Sequence, residues 1–217
     1  METLPPRDVD AVPRLRIAGL HVITDGAGIA EMAASAGAHV IQVRAKHLSD
    51  RELYGLCRDI VAICDAYGAT CIVNDRVDVA LAVGAHGTHL GADDLPVAAA
   101  RAIAGPDHII GGTARDPGRA ADLVAAGASY VGVGPAYATT TKQGLPDPLG
   151  PAGIAAVARA VAAPVIAIGG IRSDRIPTLV DAGAAGVAVI GAVASAADPR
   201  VATKELLDAL RRRSTNL

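Results

Sequence analysis

Gln42, Arg44 and Lys46 alternate through a stretch, residues 40–46, that reads Val-Ile-Gln-Val-Arg-Ala-Lys. Val40, Ile41 and Val43 give it strand propensity. Side chains along a strand alternate faces, so the three polar groups share one face over roughly 13 Å. Ile41, Val43 and Ala45 share the other. Two cations and an amide in a row suit an anion; a solvent-facing edge is the plain alternative. Strands elsewhere in the chain are apolar on both faces, and a doubly buried strand does not carry an unpaired Arg and Lys cheaply. The stretch therefore points to an anionic ligand.

Asp75 and Asp94 end two neighbouring predicted strands. At about 4.8 Å between strands, both carboxylates can reach one hard cation. The same aspartates could instead serve as helix N-terminal acids. Gly169-Gly170 and Gly191 follow two later strands, where backbone N–H groups can approach an anion closely. Glycines also simply make turns. Thr139, Thr140, Thr141 and Lys142 offer three hydroxyls and an ammonium in a Pro-bounded loop, either around a ligand or as a solvated turn. A Schiff-base lysine needs an apolar site to depress its pKa. The polar neighbours Thr141 and Gln143 argue against that chemistry and for an electrostatic role. His89, between Thr88 and Leu90, reads as a hydrogen-bonded core histidine rather than a base. His21, His39, His47, His86 and His108 form no metal spacing, and no Gly-x-Ser-x-Gly or Ser-His-Asp order is present.

The elements that must position these residues alternate regularly. Short apolar strands at 20–24, 40–46, 70–73, 88–90, 108–111, 130–133, 165–168 and 187–190 each precede a helical stretch. Ser49 and Glu52 make a capping box for the long helix after the second strand. A signature recurs as Ala-Gly-Ala at 36–38, 126–128 and 182–184 and Val-Gly-Ala at 83–85. Each Gly falls where a helix ends in a left-handed residue. Eight strand–helix units in about 200 residues fit a parallel (β/α)8 TIM barrel. A doubly wound open sheet is the runner-up, weakened because no Gly-x-Gly-x-x-Gly opens the first unit. In a barrel, function sits at the C-terminal strand ends, where Gln42, Arg44, Lys46, Asp75, His89, Asp94, the Thr139–Lys142 run, Gly169-Gly170 and Gly191 fall.

At 217 residues and 51% apolar, the chain has ample material for one core, built from Val, Ile, Leu and Ala because only 2% is aromatic. A net charge of −2 offers no global basic surface for nucleic acid or membrane, so any anion site is local. Only three lysines occur, Lys46, Lys142 and Lys204, in a chain that otherwise uses Arg. Cys57, Cys64 and Cys71 have no metal spacing and read as small core residues in a reducing compartment. Residues 1–17 read as a loose tail and 18–217 as one barrel domain. No signal or spanning segment is evident, which fits a cytoplasmic protein. A homo-oligomer is left open.

These residues resemble the thiamine phosphate synthase family. The matching stretches are His21-Val-Ile-Thr-Asp25, Ile41-Gln-Val-Arg-Ala-Lys46, Val73-Asn-Asp-Arg-Val-Asp78, Gly87-Thr-His-Leu-Gly91 running on to Asp94-Leu-Pro96, Val133-Gly-Pro135, Thr139-Thr-Thr-Lys142 and Ile168-Gly-Gly-Ile171. The resemblance implies a barrel that joins hydroxymethylpyrimidine diphosphate to thiazole phosphate, with Mg²⁺ assisting. It implies that Arg44, Lys46, Asn74 and Lys142 hold the diphosphate with help from Thr113, and that Asp75 and Asp94 bind Mg²⁺. Gln42 and Thr139 would contact the pyrimidine. Thr141, Gly170, Ile190 and Gly191 would hold the thiazole phosphate. Diphosphate departure would leave a pyrimidine-stabilised carbocation for the thiazole nitrogen to capture, so no nucleophile–base pair is needed.

Three positions depart from the family pattern. Ala138 stands where a Pro is common, Gly191 where a Ser is common, and Arg115 where a His is common. None removes an implied ligand. Two other readings compete. A thiazole tautomerase on the same barrel would need proton-transfer groups but not the diphosphate-and-metal set. A non-catalytic phosphate-binding barrel would explain the glycines but not two metal-positioned aspartates.

Overall fold

The computed structural model describes residues 17–139, 144 and 146–212. Eight parallel strands close on themselves in sequence order, with the eighth pairing the first. They are β1 (Gly19–Thr24), β2 (Val40–Val43), β3 (Thr70–Asn74), β4 (Gly87–Leu90), β5 (Ile109–Ala114), β6 (Tyr130–Val133), β7 (Val165–Ile168) and β8 (Gly186–Val189). Helices α1 (Ala27–Ser35), α2 (Asp50–Tyr67), α3 (Val77–Val83), α4 (Val97–Ala104), α5 (Pro117–Ala125), α6 (Gly150–Ala160) and α7 (Ile176–Asp181) cross between them, and α8 (Gly191–Ala194) and α9 (Pro199–Arg211) close the ring. This is the expected (β/α)8 barrel. Among the described residues no helix is long and apolar enough to cross a membrane.

Two apolar layers follow from strand alternation. Ile41, Val43, Cys71, Val73, Val131 and Val133 join the helices in the larger layer. Ile23, Val40, Ile72, Ile109, Tyr130, Ile166 and Ala188 fill the barrel interior. With no Phe or Trp in the chain, Tyr130 is the largest side chain inside the barrel, and Gly111 on the paired strand makes room for it. A Cβ on Gly111 would stand 2.2 Å from Tyr130 Cζ.

The recurrent glycine signature has one geometry. Gly37, Gly84, Gly127 and Gly183 all have positive φ. The residue after each donates its N–H five residues back, as Ala38 to Ala33, Ala85 to Ala80, Ala128 to Leu123 and Ala184 to Leu179. The next residue leads into an even-numbered strand and grips the odd-numbered strand before it. His39 Nδ1 accepts from Leu20 N at 3.1 Å, His86 Nδ1 from Cys71 N at 2.9 Å and Ser129 Oγ from Ile110 N at 3.1 Å. In the fourth instance the residue is Ala185, which donates its backbone N–H to Val165 O at 2.8 Å and has no side-chain acceptor to offer. Three polar side chains thus satisfy strand N–H groups at the base of the barrel that would otherwise be orphaned.

Several predicted boundaries shift. β2 ends at Val43, so Arg44 and Lys46 lie beyond the strand rather than on it, because Arg44 N turns to donate to Thr24 O at 2.8 Å. β5 runs on to Ala114, which carries Thr113 within the strand. α6 starts at Gly150 with Pro151 in its first turn, earlier than expected. A 3-10 turn (Ser173–Arg175) precedes α7. The short α8 was not expected: four residues are too few to show a helical period. The capping box is present, with Ser49 N donating to Glu52 Oε2 at 2.9 Å and the Ser49 side chain accepting from Glu52 N. All three cysteines are buried and free. Burial pushes the Cys57 thiol up to about 11. A sulfur contact with Cys64, reinforced by burial, raises Cys71. Cys57 and Cys71 are thus inert packing groups.

Candidate active site

A cavity of about 340 Å³ opens at the C-terminal ends of the strands. Gln42, Arg44, Lys46, Asn74, Asp75, Asp94, Thr113, Thr139, Gly170, Ile190 and Gly191 all line it. Eleven residues drawn from seven strand ends and their following loops therefore converge on one space, as the sequence reading expected. Thr141 and Lys142 lie outside the described residues.

One side of the cavity is ionic. Lys46 Nζ lies 2.7 Å from Asp75 Oδ2. Asp75 also hydrogen-bonds Asp94, and Asp94 Oδ2 accepts from Gly91 N at 2.6 Å. Two carboxyl groups in contact repel unless a proton or cation lies between them. Burial, the Asp94 contact and the Asp94 charge raise Asp75 against the opposing Lys46. Burial alone would raise Asp94 too, but hydrogen bonds from Asp75 and Gly91 N and the Lys46 charge lower it. Of the two carboxyl groups, Asp75 is the more readily protonated and Asp94 the less.

The backbone is arranged to keep Asp75 there. Its φ of 64° makes it the sole non-glycine residue with positive φ among the described residues, a conformation that costs energy for most residues and that Asp tolerates better. Its N–H is tied to His89 O at 2.8 Å, which fixes β3 to β4 at the site. The helix-acid alternative fits Asp78 instead. Asp78 stands in the first turn of α3 and pairs with Arg76 at 2.7 Å, while Arg76 also holds Asp50 at the start of α2. Arg44 has no carboxylate partner among the described residues. Among the described residues one cation is thus uncommitted beside an acid pair.

The floor is a polar relay that sequence reasoning largely missed. Tyr130, 1% exposed, hydrogen-bonds Gln42 and His89 Nδ1 at 3.0 Å. His89 Nε2 lies 3.0 Å from Thr113 Oγ1. Burial holds the imidazole down to about 4, so it is neutral, and both ring nitrogens are engaged. His89 is therefore the hydrogen-bonded histidine expected. A neutral ring donates at one nitrogen and accepts at the other. If Tyr130 donates to Nδ1, Nε2–H donates to Thr113 and frees the Thr113 hydroxyl proton. That polarity makes Thr113 a donor toward an anion in the cavity. Alternation along β6 places Tyr130 and Gly132 inward, and Gly111 across from Tyr130 was the signal that could have revealed it.

The opposite side is built from backbone. Gly169 and Gly170 have φ of 99° and 62°. A Cβ on Gly170 would stand 2.4 Å from Ala138 O, and one on Gly169 would stand 2.7 Å from Pro135 Cα. The turn is pressed against the segment after β6, where Ala136 N donates to Ile168 O at 2.7 Å and Tyr137 N to Gly169 O at 3.0 Å. Arg115, the departure from the resembled pattern, donates to Gly134 O at 3.4 Å and to Asp147 O at 2.8 Å. It thus binds carbonyls on both sides of the post-β6 loop. Apolar Ile23, Ile166, Ile168 and Ala188 also line the cavity.

Residues 17–193 match the thiamine monophosphate synthase family model. The chain is 58% identical over 172 residues to the thiamine-phosphate synthase of Salinispora tropica, covering 79% of this chain and 83% of that one. It is 56% identical over 172 residues to that of Salinispora arenicola, with the same coverage. Among solved structures, thiamine phosphate pyrophosphorylase from Pyrococcus furiosus has a TM-score of 0.84 and 36% identity, covering 90% of this chain and 96% of that one.

Proposed function

The chain belongs to the thiamine monophosphate synthase family and is a transferase, and we propose that it joins hydroxymethylpyrimidine diphosphate to thiazole phosphate. The observation that carries this reading is the pairing, across one cavity, of the Lys46–Asp75–Asp94 ionic cluster with the Gly169–Gly170 turn. One side suits a diphosphate with its metal. The other suits a single phosphate.

Arg44, Lys46 and Asn74 hold the diphosphate on the first side, with the Thr113 hydroxyl as a further donor and Lys142, outside the described residues, as a further cation. Gln42, anchored by Tyr130, and Thr139 contact the pyrimidine. Gly170, Ile190 and Gly191 bind the thiazole phosphate, with Thr141, also outside the described residues, as a further donor. The bond between the pyrimidine methylene carbon and the diphosphate oxygen breaks, and its electron pair leaves with the diphosphate. The thiazole nitrogen then donates its lone pair to that carbon. No proton is abstracted from the nitrogen, so the chain's task is alignment and charge neutralisation. Both nitrogens of His89 are occupied within the relay, which disfavours the tautomerase reading.

Asp75 and Asp94 fit Mg²⁺, a hard cation that takes few protein carboxylates alongside phosphate oxygens and water. Their contact with one another and with the Lys46 ammonium marks a place where positive charge is required. Mg²⁺ bound there supplies charge stabilisation to the leaving group. The test is incubation of the protein with both substrates and Mg²⁺ and detection of thiamine phosphate and diphosphate in equal amounts. Absence of product with active control enzyme present defeats the reading.

A further inference from the structure

Arg175 lies outside the cavity lining, yet it reaches the turn that forms one wall. Its Nη1 donates to Gly170 O. Its guanidinium lies over the Tyr137 ring, 4.5 Å from the centroid, a cation–π distance. The neighbouring acid is taken, because Asp174 pairs with Arg172 at 2.8 Å. No carboxylate partners Arg175 among the described residues. One guanidinium thus joins the turn after β7 to the segment after β6, beyond the backbone bonds that already hold them together.

The carbonyl it holds decides which way a peptide group faces. In a trans peptide the C=O and N–H point in opposite directions. The unit between Gly170 and Ile171 has its oxygen drawn to Arg175, so the Ile171 N–H faces away from Arg175. Ile171 and Gly170 both line the cavity, and the Ile171 N–H has no hydrogen-bond partner among the described residues. A peptide flanked by a glycine of positive φ turns over easily. Turned over, it would present an oxygen, not a donor, to an anion.

We propose that Arg175, seated on Tyr137, is a positioning residue that locks the Gly170–Ile171 peptide so that its N–H is offered to the phosphate of the thiazole substrate. This rests on the phosphate subsite proposed above. The test uses the full chain with Mg²⁺ and both substrates, and compares thiazole phosphate with the phosphate-free thiazole alcohol as competing ligands. Arg175→Met should raise the KM for thiazole phosphate about 10-fold, the scale of one lost hydrogen bond. The KM for hydroxymethylpyrimidine diphosphate should stay within about 2-fold, since that site is across the cavity. The preference for thiazole phosphate over the alcohol should shrink by the same factor, which a merely structural role would not produce. Arg175→Lys, which keeps a cationic donor, should restore part of that preference, and it carries the test if the Met variant does not fold. A variant that keeps the full wild-type preference overturns the role of Arg175. A wild type with no preference shows instead that the phosphate subsite is misplaced, and the inference falls with it.

Discussion

Lys46 Nζ lies 2.7 Å from Asp75 Oδ2. An ion pair with its ammonium 57% exposed adds little stability, so its significance lies in the site. The ammonium neutralises a carboxylate that the proposed reaction gives to Mg²⁺, while the same ammonium is needed by the diphosphate. On the proposed reading, an arriving diphosphate would draw Lys46 to phosphate and leave Asp75 free to hold the metal. Lys46→Met should therefore bind Mn²⁺ more tightly in the absence of substrate, by about 10-fold, the worth of one partly screened charge pair. Turnover should fall by about 10²-fold. Calorimetry with Mn²⁺ alone checks this, and unchanged or weaker metal affinity contradicts it.

Removal of the Tyr130 hydroxyl should be felt two residues away in the relay. Tyr130→Phe leaves Gln42 and His89 Nδ1 without their shared partner. The expected cost is about 1–3 kcal/mol in stability. It also frees the imidazole tautomer, so Thr113 no longer offers its proton dependably. The KM for the diphosphate substrate should rise several-fold more than that for thiazole phosphate. Equal rises would show that the relay does not bias the diphosphate side.

At the base of the barrel the expected effect is on stability alone. Ser129 Oγ accepts from Ile110 N and from Arg101 Nη2, at 3.1 and 3.2 Å. Ser129→Ala should cost about 1–2 kcal/mol by urea unfolding, with kcat and both KM values unchanged. A kinetic defect without loss of stability would mean that this end of the barrel communicates with the site.

The alternation of Gln42, Arg44 and Lys46 sufficed to place all three at one cavity, even though β2 ends at Val43. The reason is that strand parity persists briefly beyond the last ladder bond. The glycine signature likewise marked four helix ends, because a positive φ is a local demand met mainly by one residue type. Tyr130 was less legible. Its partner Gln42 lies four strands away in order, and only barrel closure brings them together. The Lys46–Asp75 contact was not foreseen either. The connections after β2 and β3 meet there, and no local periodicity encodes which charge takes which partner. The clasp of Arg175 on Gly170 has the same character, since a carbonyl acceptor leaves no mark in a sequence.

Acid should destabilise the fold through buried imidazoles. Burial holds His21 down to about 4 from 6.5, outweighing its hydrogen bond to Ile17 O. The unfolded chain takes up a proton below 6.5 that the folded chain refuses until about 4. Stability is therefore full above 6.5 and declines as pH falls toward 4, by up to roughly 3 kcal/mol for this residue. His89, held down to about 4 by burial, acts in the same direction. Unfolding free energies of wild type and His21→Asn across that range should show a flatter acid limb in the variant. Parallel limbs would remove His21 from the account.

The most direct measurement is turnover with both substrates in EDTA, followed by Mg²⁺ titration of the wild type, Asp75→Asn and Asp94→Asn. The proposed chemistry predicts no thiamine phosphate in EDTA and saturable recovery with Mg²⁺ in the wild type. Each variant should be slower by about 10²-fold or more, the scale of one lost transition-state charge contact. Folding should change little, because Asn keeps the side-chain shape and can still accept at Asp94 from Gly91 N. Full activity in EDTA, or variants with wild-type rates and metal dependence, would contradict the account at its centre and leave the acid pair a purely structural feature of the barrel mouth.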